Sequence, residues 1–455
     1  MRFLGASGLV AGALAVMTGL AVPGLAASGP VSPTPAKQTP QLTAYNGTTV
    51  EIVRQLVQCG GTMYAVGSFT TIKRNTTTYT RHNIFSFSAT SPFAVTSWDP
   101  NVNGVVNSIA FNGTNCSTAY IGGKFTSVHG TAVKNIAAIS TSTGAVVTTF
   151  RHNANGMVET LLAAKGHILA GGYFTSINGT VRWYMASLNP TTGKDDAFIH
   201  GLNISGNYQF PGVGNNATRI YNQQLSHSGN LDLVEGDFTS VGGLGRQQIF
   251  MLDLSGSSAT VTKWTSPEWD GSVPQTTIPY QCWTSEPFYL QAAAWSPDDS
   301  AIYIGTTGFH PWNLPKGTYP RSGLCDAAAA FPATQTSVRH IWVNYTGCDS
   351  LFAAAADAGA AYFGGHERWS QNPNDCDAKG PGAIVDPGME GLNPATGADL
   401  LNSQGAALYT RGRGLGADDM LVTSAGLWIA SDNFNNANYC GGVSGHAGIC
   451  FLPYG

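Results

Sequence analysis

Charge is scarce in this chain. Asp, Glu, Lys and Arg together make 11% of its 455 residues, and the formal net charge is −4. No basic cluster stands out, so a nucleic-acid backbone is not the expected partner. Helical patterning is missing too: no stretch sustains a 3.6-residue apolar period. Beyond residue 22 there is no apolar run long enough to cross a bilayer, so no membrane span is expected. Cysteine and histidine never fall in the paired short spacings of a zinc site, so neither a metal nor a cofactor is expected. Copper oxidase chemistry, which needs a free cysteine among converging Tyr and His, is disfavoured by an even cysteine count that can pair fully.

What is present is glycine, 56 residues of it, and a repeat. Tyr120-Ile121-Gly122-Gly123-Lys124-Phe125-Thr126-Ser127-Val128 has a close copy at Ile168-Leu169-Ala170-Gly171-Gly172-Tyr173-Phe174-Thr175-Ser176-Ile177. Further copies stand at Asp232-Leu233-Val234-Glu235-Gly236-Asp237-Phe238 and Tyr64-Ala65-Val66-Gly67-Ser68-Phe69. Degraded copies follow at Ile302-Tyr303-Ile304-Gly305, Ala361-Tyr362-Phe363-Gly364-Gly365 and Leu427-Trp428-Ile429-Ala430. From Gly67 to Ser431 the seven markers advance by about 61 residues each, which suits a four-stranded blade with its loops. In the second copy, β-rich runs at 105–111, 119–125, 135–139 and 146–150 are separated by Asn112-Gly113, His129-Gly130 and Thr143-Gly144.

Seven four-stranded units predict an all-β fold, a seven-bladed β-propeller, with six or eight blades as the alternative. The last repeat offers only three strands, at 420–422, 426–430 and 448–453. The run 41–45 is the expected fourth, so that an N-terminal strand completes the last blade and latches the ring. The marker glycines permit close backbone approach. Phe69, Phe125, Phe174 and Phe238 read as core between blades. A phosphate-binding loop is disfavoured because strand-like sequence, not a helix, follows the glycines.

Residues 1–27 have the form of a secretory signal peptide: a charged start, an apolar stretch from Gly8 to Val22, and Gly24-Leu25-Ala26-Ala27 before the expected cut. Residues 28–41 carry prolines and no apolar pattern, as in an extended linker. A single propeller domain is expected over 42–455, and the mature protein is expected to be extracellular and monomeric. Eight cysteines in an exported chain favour four disulfides. Cys59 and Cys116 occupy the same loop position of neighbouring repeats, and Cys440 and Cys450 lie near each other. Cys282 with Cys325, and Cys348 with Cys376, are the remaining pairs considered.

The repeat resembles the delta-60 repeat family of bacterial secreted β-propellers. The resemblance rests on Tyr120-Ile121-Gly122-Gly123-Lys124-Phe125-Thr126-Ser127, on Ala137-Ala138-Ile139 and on Thr143-Gly144, and it spans roughly residues 42–455. Leu324-Cys325-Asp326-Ala327-Ala328 and Gly364-Gly365-His366-Glu367-Arg368-Trp369 are similar to an extracellular subgroup. The family carries no settled activity, so the resemblance implies architecture and export and no reaction. Gly305-Thr306-Thr307-Gly308 and Ala430-Ser431-Asp432 depart from its pattern.

Sites are expected on one rim. Loops leaving the second strand and loops entering the next first strand share a face, and in repeats five to seven these loops change character. They carry His310 and Trp312; His366, Glu367, Arg368 and Trp369; Asp432; and, on the incoming side, Trp283 and Glu286, Tyr345 and Asp349, and Arg413. Aromatic rings beside opposite charges suit a pocket for a polar ligand. The structural alternative is an ion-pair network of Glu367, Arg368 and Arg413 that holds divergent blades together. Three functions compete: a binding module for a glycan or an extracellular protein, a polysaccharide-degrading enzyme, and an interaction scaffold. As an enzyme it would be a glycosidase using Glu367 with Glu286 or Asp349, or a lyase using His366 or His310 with Arg368.

Overall fold

A computed structural model describes residues 29–207, 217–269, 288–308, 324–334, 336, 338–347, 349–374, 378–436, 440 and 446–455. Among them there is no α-helix, and the regular structure is antiparallel β-sheet. Seven sheets of three or four strands share one plan. Each starts from an inner strand: Ile52–Cys59, Val105–Ala110, Met157–Ala164, Arg219–Leu225, Leu290–Trp295, Leu351–Ala356 and Ala417–Thr423. Each inner strand lies against that of the next sheet, and Ile52–Cys59 lies against Ala417–Thr423 as well. This is β-propeller architecture.

The repeat motif explains the geometry. Every inner strand carries a β-bulge near its start, after Val53, Val106, Val158, Ile220, Leu290, Leu351 and Ala417 respectively. A bulge bends its strand and re-aims a side chain. It also brings a backbone oxygen over the middle strand. A Cβ on Gly67, Gly123, Gly172, Gly236 or Gly365 would sit 2.0, 2.1, 2.3, 2.2 or 2.0 Å from that oxygen. Glycine at these five positions is thus the partner of the bulge. Two residues on, Phe69, Phe125, Phe174 and Phe238 are buried, as their spacing predicts.

The N-terminal segment reaches the expected sheet, but mainly with residues upstream of those expected. Gln41 and Leu42 pair with Lys73 and Ile72 of the first repeat. It is the amides of Ser32 and Ala36 that donate to the carbonyls of Pro453 and Phe451 on the free edge of the last sheet. The cause is an anchor upstream. Val31 is buried; its amide donates to the Tyr362 hydroxyl and its carbonyl accepts from the Tyr409 hydroxyl. The Pro-rich stretch read as a linker is therefore docked from residue 31 onward.

Cys59–Cys116 joins the first two sheets and Cys440–Cys450 lies within the last. Cys325 is disulfide-bonded. Cys282, Cys348 and Cys376 lie outside the described residues, so their pairings do too.

Candidate functional site

The seven bulges converge. The extra residue in each is Arg54, Asn107, Glu159, Tyr221, Gln291, Phe352 and Asp418, and all seven line one cavity of about 410 Å³ on the propeller axis. One side chain per sheet, each at the same step of its strand, makes a ring. In three sheets the residue after the bulge stitches neighbouring sheets. Gln55 Oε1 accepts from the Ile109 amide at 2.7 Å, Ser108 Oγ from the Leu161 amide at 2.9 Å, and Asp419 Oδ2 from the Leu56 amide at 2.8 Å. The ring is thus held by a backbone framework and not by loops.

Its charges are paired across neighbouring sheets. Arg54 lies 3.8 Å from Asp418, and Arg219 lies 3.9 Å from Glu159. Asn107 Nδ2 also donates to Glu159 at 2.9 Å. Burial pushes the Glu159 carboxyl up, against the pull of Arg219 and Arg54. Burial raises Asp418 and Asp419 to about 7 each. Behind the ring, burial raises Glu235 to about 8, although Asn222 donates to it at 2.8 Å. A cavity with paired charges, amide side chains and three rings, Tyr221, Tyr289 and Phe352, offers donors, acceptors and apolar faces together. This is the lining that a polar, hydroxyl-rich ligand needs, and the volume is that of a small-molecule site.

Part of the expected rim site adjoins this cavity. His366 meets Phe352 edge-on, with ring centroids 5.2 Å apart. The Arg413 Nε donates to the His366 carbonyl at 2.6 Å. Asp349 takes Arg368 Nε at 2.6 Å and Arg413 Nη2 at 3.1 Å. The Arg368 guanidinium lies 4.5 Å from the Trp369 ring centroid. Burial lowers the His366 pKa, against the pull of Asp349, and so favours the neutral imidazole. Five of the expected residues, His366, Arg368, Trp369, Asp349 and Arg413, therefore form one cluster at the cavity's edge.

The others separate from it. Glu367 is fully buried and both its oxygens lack a hydrogen-bond partner, so the acid that binds Arg368 and Arg413 is Asp349 and not Glu367. Tyr345 is buried in its sheet. Asp432 is buried and accepts from the amides of Leu415, Gly416 and Phe434, which makes it a backbone clamp. Trp283, Glu286, His310 and Trp312 lie outside the described residues.

Sequence reading missed the ring itself. Its trace in the first four repeats is a triplet of apolar, variable and polar residues before the marker glycine: Val53-Arg54-Gln55, Val106-Asn107-Ser108, Val158-Glu159-Thr160 and Ile220-Tyr221-Asn222. The middle residues share no chemistry, so only their alignment reveals them. A second groove, of about 470 Å³, is lined by Val181, Trp183 and Leu202 in the third repeat, with Trp183 58% exposed.

No protein-family model matches the chain, and no curated protein matches it. Among solved structures, U3-55K is similar over 92% of this chain and 99% of that one, at 8% identity and a TM-score of 0.49. The WD40 repeats of RRP9 are similar over 92% and 98%, at 8% identity and a TM-score of 0.48. The extracellular domain of the putative one component system BT4673 from B. thetaiotaomicron is similar over 92% of this chain and 40% of that one, at 11% identity and a TM-score of 0.44. The propeller assignment rests on the sheet order of this chain itself.

Proposed function

We propose that this protein is a secreted, monomeric binding module of the delta-60 repeat type. In this reading seven blades close into one ring, with residues 32–36 as the outer strand of the last blade, and a glycan is held in the axial cavity. The observation that carries the binding role is the ring of seven bulged side chains around that cavity. Their mixed amides and paired charges suit neutral hydroxyls better than a strongly charged ligand. Export is supported by the signal-like residues 1–27 and by two disulfides, which persist in oxidising compartments.

Binding is favoured over turnover by the state of the acids. Glu367, the carboxylate on which the glycosidase reading leaned, is sealed from solvent. Asp349 is held by two arginines, and Arg368, the cation of the lyase reading, is one of them. The test is affinity electrophoresis of the purified protein through gels containing soluble plant, algal and microbial polysaccharides, with new reducing ends followed in parallel. Retardation by at least one polysaccharide, weakened in Arg54→Ala and Asn107→Ala and without product, is the expected result. Reducing ends released in proportion to enzyme, or retardation indifferent to both substitutions, overturns the reading.

A further inference from the structure

The sixth sheet buries acids where its siblings bury rings and arginines. Glu367 stands at the step of Phe69 and Phe238, two residues past the marker glycine. Glu390 pairs with Phe363 as Phe85 pairs with Ala65 and Phe250 with Val234. In the first and fourth sheets these two positions form aromatic contacts, Phe69–Phe85 at 5.7 Å and Phe238–Phe250 at 5.3 Å. In the sixth both are carboxylates, fully buried, and none of their four oxygens has a hydrogen-bond partner.

The same substitution of sign recurs one layer out. The Arg182 amide donates to the Thr175 carbonyl in the third sheet, and the Asp386 amide to the Arg368 carbonyl in the sixth, at 3.1 and 3.2 Å. Asp195 bridges Leu188 as Asp399 bridges Leu392. In the third sheet Arg182 Nε lies 2.8 Å from Asp195. In the sixth the arginine's place is held by Asp386, also fully buried with two unpartnered oxygens. One oxygen each of Asp386, Glu390 and Asp399 lie within 4.8 Å of one another. Asp399 itself accepts from Ser370 Oγ and Gln371 Nε2.

Buried carboxylates with no donor cannot remain ionised side by side; they take up protons or a cation. We propose that Asp386, Glu390 and Asp399 bind one calcium ion, in the position whose positive charge Arg182 supplies in the third sheet. Oxygen-only ligands select a hard cation, and a set of carboxylates without histidine or cysteine excludes zinc by preference. The expectation of no metal came from cysteine and histidine spacing, and a carboxylate site falls outside that signature. Within the group itself, Asp386 and Glu390 are fully buried and their oxygens lack a hydrogen-bond donor, while Glu367 is a further fully buried acid of the same sheet outside the group. The inference does not depend on the glycan reading.

The test uses the full mature chain. Metal content of the purified protein is measured first, then calcium chloride is titrated into EGTA-treated protein by calorimetry and by thermal melting. One equivalent of calcium, and a melting temperature that rises with calcium, are expected. Asp386→Asn and Glu390→Gln weaken calcium binding about tenfold or more. In EGTA, however, they melt above wild type, because each removes one charge from the cluster. Asp386→Arg restores the third-sheet arrangement, so it folds and its melting no longer responds to calcium. Should Asp386→Asn fail to fold, the half-buried Asp399→Asn gives the same readout. No bound metal together with a calcium-insensitive melt overturns the proposal, as does one equivalent of a different divalent ion retained in Asp386→Asn.

Discussion

Gly123→Ala tests the link between the repeat motif and the axial ring. The added Cβ would stand 2.1 Å from the Val105 oxygen and 2.9 Å from the Val106 Cα. Both are backbone atoms, with no rotamer to change, so the bulge at Asn107 must open or the two strands must part. Overpacking a close-packed interior costs about 1–3 kcal/mol, and an immovable obstacle places this case at or above the upper end. Gly61→Ala is the control: its Cβ meets nothing within 4 Å, and its φ is not in the left-handed region. There the loss of chain entropy in the unfolded state stabilises by about 0.4–1 kcal/mol. Urea unfolding followed by tryptophan fluorescence compares the two. The account predicts a gap of about 3 kcal/mol or more between them, with polysaccharide retardation lost in Gly123→Ala and kept in Gly61→Ala. Equal stability of the two variants would refute the coupling of glycine to bulge.

Three further outcomes follow from the geometry. Replacing Cys59 and Cys116 by serine opens a bridge spanning 57 residues, and loop-closure entropy predicts a loss of about 4 kcal/mol in the same urea experiment. Asp418 and Asp419 are raised from 3.8 to about 7 and Glu235 from 4.5 to about 8, so the folded state holds the extra protons. Their stabilisation is complete at acid pH and is lost as pH rises through those values. Melting should therefore fall progressively from about pH 4 to about pH 8 and level off above it, with His366 and His446, both lowered by burial, acting in the opposite sense within that range; Asp418→Asn should flatten the fall. Asp349→Ala leaves Arg368 and Arg413 without their shared carboxylate and should increase proteolytic cleavage at 411–415 more than Asp298→Ala does.

The repeat carried the architecture because its physical demands are local. Gly123 and Phe125 are adjacent, and each marks a fixed place in the sheet, so the second strand and the core were legible wherever the motif survived. The Cys59–Cys116 bridge was legible for the same reason: equal offsets from the motif put both cysteines at the same end of neighbouring sheets. The closing segment was not. Its anchor is a single Val31 held by two phenols more than 300 residues away, and no periodic pattern announces such a contact. The rim cluster was half legible. Asp349, Arg368 and Arg413 were named, but the pairing was assigned to Glu367, because a carboxylate beside an arginine in sequence looks like its partner. Both residues lie in the loop between the strands Ala361–Gly365 and Trp369–Ser370, where Glu367 is fully buried while Arg368 turns to Asp349. The axial ring escaped because its seven members differ in charge, size and polarity. What they share is a backbone irregularity, marked in sequence only by the apolar residue before it.

The most direct measurement of the central claim is a crystal structure of the protein soaked with an oligosaccharide prepared from whichever polysaccharide retards it. The account predicts ligand density in the axial cavity, in contact with Arg54, Asn107 and Glu159. Density at Trp183 on the outer surface, with the axial cavity holding only solvent, would contradict it.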